Sequence, residues 1–281
     1  MGSRFRVTVD KPPQSEELLP EVRHRIVIMS GKGGVGKSLL SSYLAVALAK
    51  RGYRVGVLDV DFHGPSVPIF LGLEGRKPSV SLDGIEPVEG PLGVRVMSLG
   101  FLTDDETPII WRGPLKTGAI VQLLTQVRWG EQDFLIIDLP PGTGDEPLTV
   151  AQRVRVDGAI IVTTPSKVVG RVVVRAVNFA RHVGLKVLGL VENMSYFYCP
   201  ESGRVYSIFG DSTSDYISQK YGIPIIAKIP IDPELPGYVS RGLIYILEKP
   251  DTPLAEAFEG IATFIENWVN QVNPSISSET H

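Results

Sequence analysis

The chain has 281 residues, a net charge of -3 and 43% hydrophobic residues, a size and composition that suit one α/β domain with a sizeable core. The slightly acidic balance removes the long-range attraction that draws nucleic-acid and anionic-membrane binders to their partners. Its single cysteine, Cys199, excludes an intrachain disulfide framework and a zinc site made of several thiolates, and the four histidines are scattered.

The N-terminal stretch Met1 to Asp10 mixes Arg4 and Arg6 with Val7 and Val9 instead of presenting an apolar signal core. No run of about 18 apolar residues follows anywhere. The chain is therefore expected to be soluble, intracellular and cytoplasmic, with no membrane partner and nucleic acid disfavoured. Residues 1–24, which include the polar, Pro-containing lead Lys11 to Pro20, are expected to form a loosely ordered tail, residues 25–272 one domain, and residues 273–281 a second tail.

From Arg25 to Ser30 a short apolar run ends in glycines, as a buried parallel strand does. A helix is predicted from Ser38 to Lys50, where Leu39, Leu40, Tyr43, Leu44, Ala47 and Leu48 fall at helical spacing and Gly52 is placed to cap the end. Strands Arg54 to Leu58 and Val94 to Ser98, helix Leu115 to Val127, strands Phe134 to Ile137 and Ala159 to Thr163, helix Lys167 to Val183 and strand Val187 to Val191 continue the alternation. Helix Ser214 to Tyr221, strand Ile225 to Ile229 and a last amphipathic helix from Thr252-Pro253 to about Val272 complete it. Such alternation implies a doubly wound, mostly parallel sheet with helices on both faces. In the last helix, Leu254, Phe258, Ile261, Ile265 and Trp268 oppose Glu256, Glu259 and Glu266 with no lysine or arginine, which favours packing on the sheet over lipid binding.

Between the first strand and the first helix lies Gly31-Lys32-Gly33-Gly34-Val35-Gly36-Lys37-Ser38, the P-loop pattern in the strand-loop-helix context that its mechanism requires. Glycines let successive backbone N–H groups turn toward phosphate oxygens, and the helix N-terminus adds its positive dipole. Lys37 then supplies charge to the β and γ phosphates of ATP, and the Ser38 hydroxyl a ligand to magnesium. The nucleotide-contacting stretch is read as running through Leu39. Lys32 carries a second charge at the loop entrance; it can reach a nucleotide held by a facing subunit or serve as a solvated surface lysine.

Two further segments carry carboxylates to the same sheet edge. Asp59-Val60-Asp61-Phe62-His63-Gly64-Pro65-Ser66 follows a buried strand, where a carboxylate can orient water. Leu135-Ile136-Ile137-Asp138 is an apolar strand ending in an aspartate, and Pro140-Pro141-Gly142-Thr143-Gly144 after it reads as a switch loop whose backbone meets the γ-phosphate at Gly142. Helix capping is the ordinary use of one such Asp; two beside a P-loop favour the site.

With these motifs in view, and with Trp111-Arg112-Gly113-Pro114, Glu192-Asn193-Met194-Ser195-Tyr196 and Pro230-Ile231-Asp232-Pro233, the chain resembles the Mrp/ApbC family of iron-sulfur cluster carrier ATPases from about His24 to about Gly242. That family lies within the larger group containing the Min and Par partitioning ATPases. The resemblance implies a P-loop NTPase fold, ATP hydrolysis, and a homodimer with two ATP molecules near its interface. It implies Lys32 acting across that interface, Asp61 positioning the attacking water and Asp138 holding magnesium through water. It also implies Asn193 reading the adenine with Pro230 nearby, and apo iron-sulfur proteins as clients.

One position departs from the pattern. Carriers have Cys-Pro-x-Cys-Gly after the Asn-Met-Ser-Tyr motif, whereas this chain reads Cys199-Pro200-Glu201-Ser202-Gly203. A dimer then offers two thiolates where a [4Fe-4S] cluster normally takes four. Three readings stay open: a carrier with a labile cluster, a lineage that lost the cluster and kept the ATP switch, or an altered position 202. Cys199 alone also suits a partly buried thiol. A partitioning or positioning ATPase without a cluster is the alternative function, kept open by the cationic stripe Lys167, Arg171, Arg175, Arg181 and His182, a pattern that more often marks a solvated face. Nitrogenase-type reductases, a third relative, need cluster cysteines that are missing between Asp138 and Ala159.

Overall fold

The structure is a computed structural model in which residues 18–62, 64–102, 113–165 and 167–272 are described. Residues 1–17 of the tail expected at 1–24, the tail expected at 273–281, His63, the Trp111-Arg112 pair and the Lys167 side chain lie outside the described residues, while Val22 to His24 of the expected N-terminal tail belong to β1.

The chain opens with β1 (Val22–Ser30), α1 (Lys37–Lys50), β2 (Val55–Asp59), α2 (Val67–Phe70) and the small strands β3 (Ser79–Ser81), β4 (Gly84–Glu86) and β5 (Val88–Glu89). It continues through β6 (Arg95–Ser98), α3 (Gly113–Gln126), β7 (Gln132–Asp138), α4 (Asp145–Arg153), β8 (Gly158–Thr163), α5 (Lys167–His182) and β9 (Val187–Glu192). The last part holds β10 (Phe197–Cys199), β11 (Arg204–Tyr206), α6 (Ser214–Tyr221), β12 (Ile225–Lys228), α7 (Leu235–Val239), α8 (Tyr245–Glu248) and α9 (Pro253–Val272).

Among the described residues, eight strands form one sheet in the order β12-β9-β8-β1-β7-β2-β6-β5. Every pairing is parallel except that of the edge strand β5 with β6. The doubly wound, mostly parallel sheet expected from the alternation of elements is thus present, with the reversal of winding at β1, which β7 and β8 flank.

Strand periodicity decides which helices cover which face. In β1, Ile26 and Ile28 join the core beneath α1 and α9, whereas Val27 and Met29 join the core beneath α3 and α5. Both faces are buried, which is why these strands read as continuous apolar runs rather than alternating ones. α1 ends as predicted: Gly52, at φ 92°, donates its N–H to Ala49 O at 2.9 Å. β1 begins at Val22, three residues before the predicted Arg25, because Val22 and His24 are buried as well.

Several elements escaped prediction. α4 carries Pro147 in its first turn and few apolar residues, so its sequence gives no helical pattern to find. The hairpins β3–β4 and β10–β11 bury little and leave no alternation to find. α2, at four residues with Pro68 inside, is too short for helical periodicity.

α9 packs inward, as its acidic outer face led us to expect. Phe258 is 0% exposed, with its ring centroid 5.4 Å from that of Tyr43 on α1 at an interplanar angle of 63°. On the rim, Arg51 bonds Glu259 at 2.8 Å and also Glu266. Phe258→Ala is expected to lower unfolding free energy by about 3–5 kcal/mol, read from urea denaturation. A loss under about 1 kcal/mol would show that α9 stands outside the cooperative core.

Candidate nucleotide site

Parallel strands of one sheet end together, and here their last residues form a polar row. Ser98 (β6), Asp59 (β2), Asp138 (β7), Ser30 (β1), Thr163 (β8) and Glu192 (β9) are each at most 1% exposed. Register places Asp59 beside Ser98 on one side and beside Asp138 on the other. A buried polar row of this kind persists only if every member finds a partner.

Asp138 finds three. Its Oδ2 lies 2.8 Å from Lys37 Nζ and accepts from Ser38 Oγ at 2.6 Å, while its Oδ1 accepts from Ser41 Oγ at 2.6 Å. The donors come from the first turns of α1, so one strand-terminal carboxylate holds that helix's N-terminus against the sheet edge. Lys37 Nζ also lies 3.7 Å from Asp61 Oδ2. Burial disfavours the Lys37 ammonium, but the charges of Asp138, Asp59 and Asp61 outweigh it, and its pKa stands above the ordinary lysine value.

The loop ahead of α1 turns through left-handed backbone at Gly34 (φ 74°) and Gly36 (φ 84°). At Gly36 a Cβ would also lie 2.1 Å from Asn193 Nδ2, so a side chain there is excluded twice. Asn193 is 4% exposed and its Nδ2 donates to Val35 O at 2.9 Å. At the other end, a Cβ on Gly31 would lie 2.4 Å from Val172 O, which packs the loop entrance directly on α5.

The loop walls a cleft of about 380 Å³ lined by Lys32, Gly33, Gly34, Val35, Gly36, Lys37, Ser38 and Asp61, with Phe70 and Pro141 opposite. Lys32 is exposed at its rim. Leu39 directs its side chain into the core at 6% exposure and lies outside the cleft lining. Gly142, at φ 97°, donates its N–H to Ser30 O at 2.8 Å, so the segment after Asp138 starts against the end of β1. Pro230 is buried after β12. Asn193 and Pro230 lie outside the cleft lining, and Cys199 sits apart on the β10–β11 hairpin, opposite Arg204. There the Ser202 hydroxyl and N–H hold the Cys199 thiol below its ordinary pKa.

Ser38 and Asp138 offer a hydroxyl and a carboxylate, hard oxygen donors of the kind that magnesium takes alongside phosphate oxygens. Among the described residues no group of three or more His, Cys, Asp and Glu is arranged to hold a metal ion by itself.

Two residues at the heart of this site went unassigned in the sequence. Ser41 lies three residues after Ser38 and four after Lys37, a spacing that puts all three on one helix face. Asp59 ends β2 two residues before Asp61, and it is Asp59 that is fully buried, accepting from Ser98 Oγ at 2.9 Å and from the N–H of Asp61 at 3.1 Å.

A sheet with a lysine-ending glycine loop after its central strand and an aspartate ending the neighbouring strand defines a P-loop NTPase. The chain belongs to the NUBPL iron-transfer P-loop NTPase family, whose model matches residues 21–266. It is 47% identical over 246 residues to the iron-sulfur cluster carrier protein of Saccharolobus solfataricus, covering 87% of this chain and 83% of that one. Among solved structures, the nucleotide-binding protein of Archaeoglobus fulgidus in complex with ADP superposes with a TM-score of 0.73 at 44% identity, over 85% of this chain and 93% of that one. The MinC:MinD cell division complex of Aquifex aeolicus, at 23% identity and a TM-score of 0.65 over 87% of this chain and 96% of that one, shares the fold.

Burial, followed by the charge of Asp138, pushes the Asp59 carboxyl up to about 7 from 3.8. The folded chain therefore holds this proton more tightly than the unfolded chain. Its stabilising contribution is complete below the unfolded value and is lost as pH rises through about 7. Asp59→Asn keeps the shape without the ionisation. The difference in unfolding free energy, variant minus wild type, is expected to climb between about pH 5 and pH 8; a difference independent of pH would mean that Asp59 is ionised throughout.

Proposed function

We propose that the chain is a homodimeric ATPase that carries or assembles iron-sulfur clusters for apo client proteins. The observation that carries this reading is the convergence of Lys37, Ser38, Ser41 and Asp61 on and around Asp138 at the mouth of the loop, in a chain of the iron-transfer family.

In this reading the N–H groups from Gly31 to Leu39 surround the phosphates of ATP, and Lys37 neutralises charge that grows on the β and γ oxygens. Magnesium, held by Ser38 directly and by Asp138 through water, supplies further charge neutralisation when bound. Asp61 lies at the cleft close to Lys37 and yet outside the Asp138 cluster, which suits it to orient and deprotonate the attacking water. Gly142 opens the switch segment, Asn193 and Pro230 stand on the adenine side, and Lys32 reaches from its exposed rim position to the nucleotide of the facing subunit.

The cargo end of the molecule is the β10–β11 hairpin. Tyr198, Val205, Tyr206, Ile208 and Phe209 are exposed on and just after it, an apolar surface of the kind that marks a partner contact. Cys199 stands within that surface, and two such hairpins meeting at a dimer seam bring two thiolates.

Mixing two defective variants tests the ATPase half of the proposal. Lys32→Ala and Asp61→Asn are each expected to bind ATP and hydrolyse it slowly. In an equal mixture half of the dimers are mixed and each holds one site with both residues intact, so turnover should recover to roughly a quarter of wild type. Proven mixed dimers without recovery would reject action across the interface.

Cluster content tests the other half. Anaerobic reconstitution of the wild-type chain is expected to leave little stable [4Fe-4S] cluster, because two thiolates stand where four are normally used. Ser202→Cys should raise iron to about four per dimer with much less change in ATP turnover. Wild-type chain that retains about four irons per dimer through gel filtration would show that other ligands complete the site.

A further inference from the structure

Between the nucleotide loop and the Cys199 hairpin lies a buried acid that the site does not use. Glu192, the last residue of β9, is 0% exposed. Its partners are three hydroxyls, with no cation among the described residues: Ser195 Oγ donates to Oε1 at 2.6 Å, and Ser212 and Ser214 donate to Oε2 at 2.5 and 2.6 Å. These serines do not belong to one turn. Ser195 stands where the chain leaves β9 toward the hairpin, and Ser212 and Ser214 where it returns to start α6.

One side chain thus closes the base of the whole hairpin excursion. The next residue ties the same strand end to the nucleotide loop, since Asn193 donates to Thr163 O through its N–H at 2.8 Å and to Val35 O through Nδ2 at 2.9 Å. Met194, between the two attachments, has φ 55°, a left-handed conformation that a non-glycine residue keeps only where its neighbours hold it. Ser195 N donates to Ile229 O at 2.9 Å and completes that hold.

A buried acid without a counter-charge is a poor device for stability alone, because an apolar side chain fills the same space without losing hydration. Its distinguishing property is connectivity. We propose that Glu192 is a positioning residue that makes the Cys199 hairpin move with the end of β9, so that a shift of the nucleotide loop is felt at the thiol. This deepens the reading of the chain as an ATP-driven carrier and rests on it.

The single cysteine makes the test direct. Alkylation of Cys199 by iodoacetamide would be timed on the full-length chain, with and without magnesium and a non-hydrolysable ATP analogue. Analogue affinity and unfolding midpoint would be measured alongside. In the wild type the nucleotide should change the alkylation rate by roughly fivefold or more. In Glu192→Gln, whose amide cannot accept all three hydroxyls, that ratio should fall to within about twofold of unity while analogue affinity stays within about threefold. Should Glu192→Gln fail to fold, Ser212→Ala should reduce the ratio and Ser212→Thr, which keeps the hydroxyl, should preserve it.

A nucleotide response retained in full by Glu192→Gln, or equally by Ser212→Ala, would overturn the role of Glu192 and leave the carrier reading standing. A wild-type chain that hydrolyses ATP without any change at Cys199 would overturn the coupling but not the ATPase. A wild-type chain that neither binds nor hydrolyses ATP would overturn both.

Discussion

The site is organised around one carboxylate shut away from bulk solvent. Asp138 ends a central strand, is 0% exposed, and receives an ammonium and two hydroxyls, all from the first five residues of α1. Removing one partner of such a buried pair typically costs about 3–5 kcal/mol, because the other charge is left in a dry interior. That penalty fixes more than stability. It sets the start of α1 on the end of β7, so the left-handed glycines ahead of the helix have one path from β1 and their N–H groups one direction in which to point. Geometry of the loop is therefore inherited from the sheet register that places Ile28 beside Asp138.

The same constraint divides labour among the neighbouring acids. One ammonium faces Asp138, Asp61 and Asp59, and it cannot keep three carboxylates charged in a low-dielectric cleft. Asp138 has the direct contact at 2.8 Å. Asp61 borders the cleft and sits 3.7 Å from the ammonium. Asp59 is fully buried and borders Asp138 in register, and burial followed by that neighbouring charge raises its pKa to about 7. Two aspartates separated by one valine thus differ in depth: Asp59 closes β2 in the interior, and Asp61 borders the cleft.

Depth of this kind is what one-dimensional reading does not see. The P-loop, Asp138 and the parallel sheet were legible because each depends on local patterns: glycines before a lysine, and apolar runs ending in an acid. Ser41 was within reach through helical spacing, but serine is common in helices, and only the packing of α1 against β7 distinguishes it. The clasp at Glu192 was out of reach, since its donors lie three, twenty and twenty-two residues away and are joined only when the hairpin folds back. α4 was missed for a different reason: proline and polar residues hide a helix whose stability comes from packing beside α3 rather than from its own pattern.

The hairpin shows how one neighbouring residue sets the acidity of a thiol. The Ser202 hydroxyl and N–H bond to Cys199 and hold its thiol below the ordinary pKa, although a hydroxyl is itself a harder donor than a thiolate. Hydrogen bonding tunes a single sulfur, whereas a [4Fe-4S] cluster normally takes four thiolates. The ATP-binding edge contains neither residue and depends on neither. Its Lys37–Asp138 core is complete within one chain and is joined, through Asn193 and the end of β9, to the hairpin that bears Cys199.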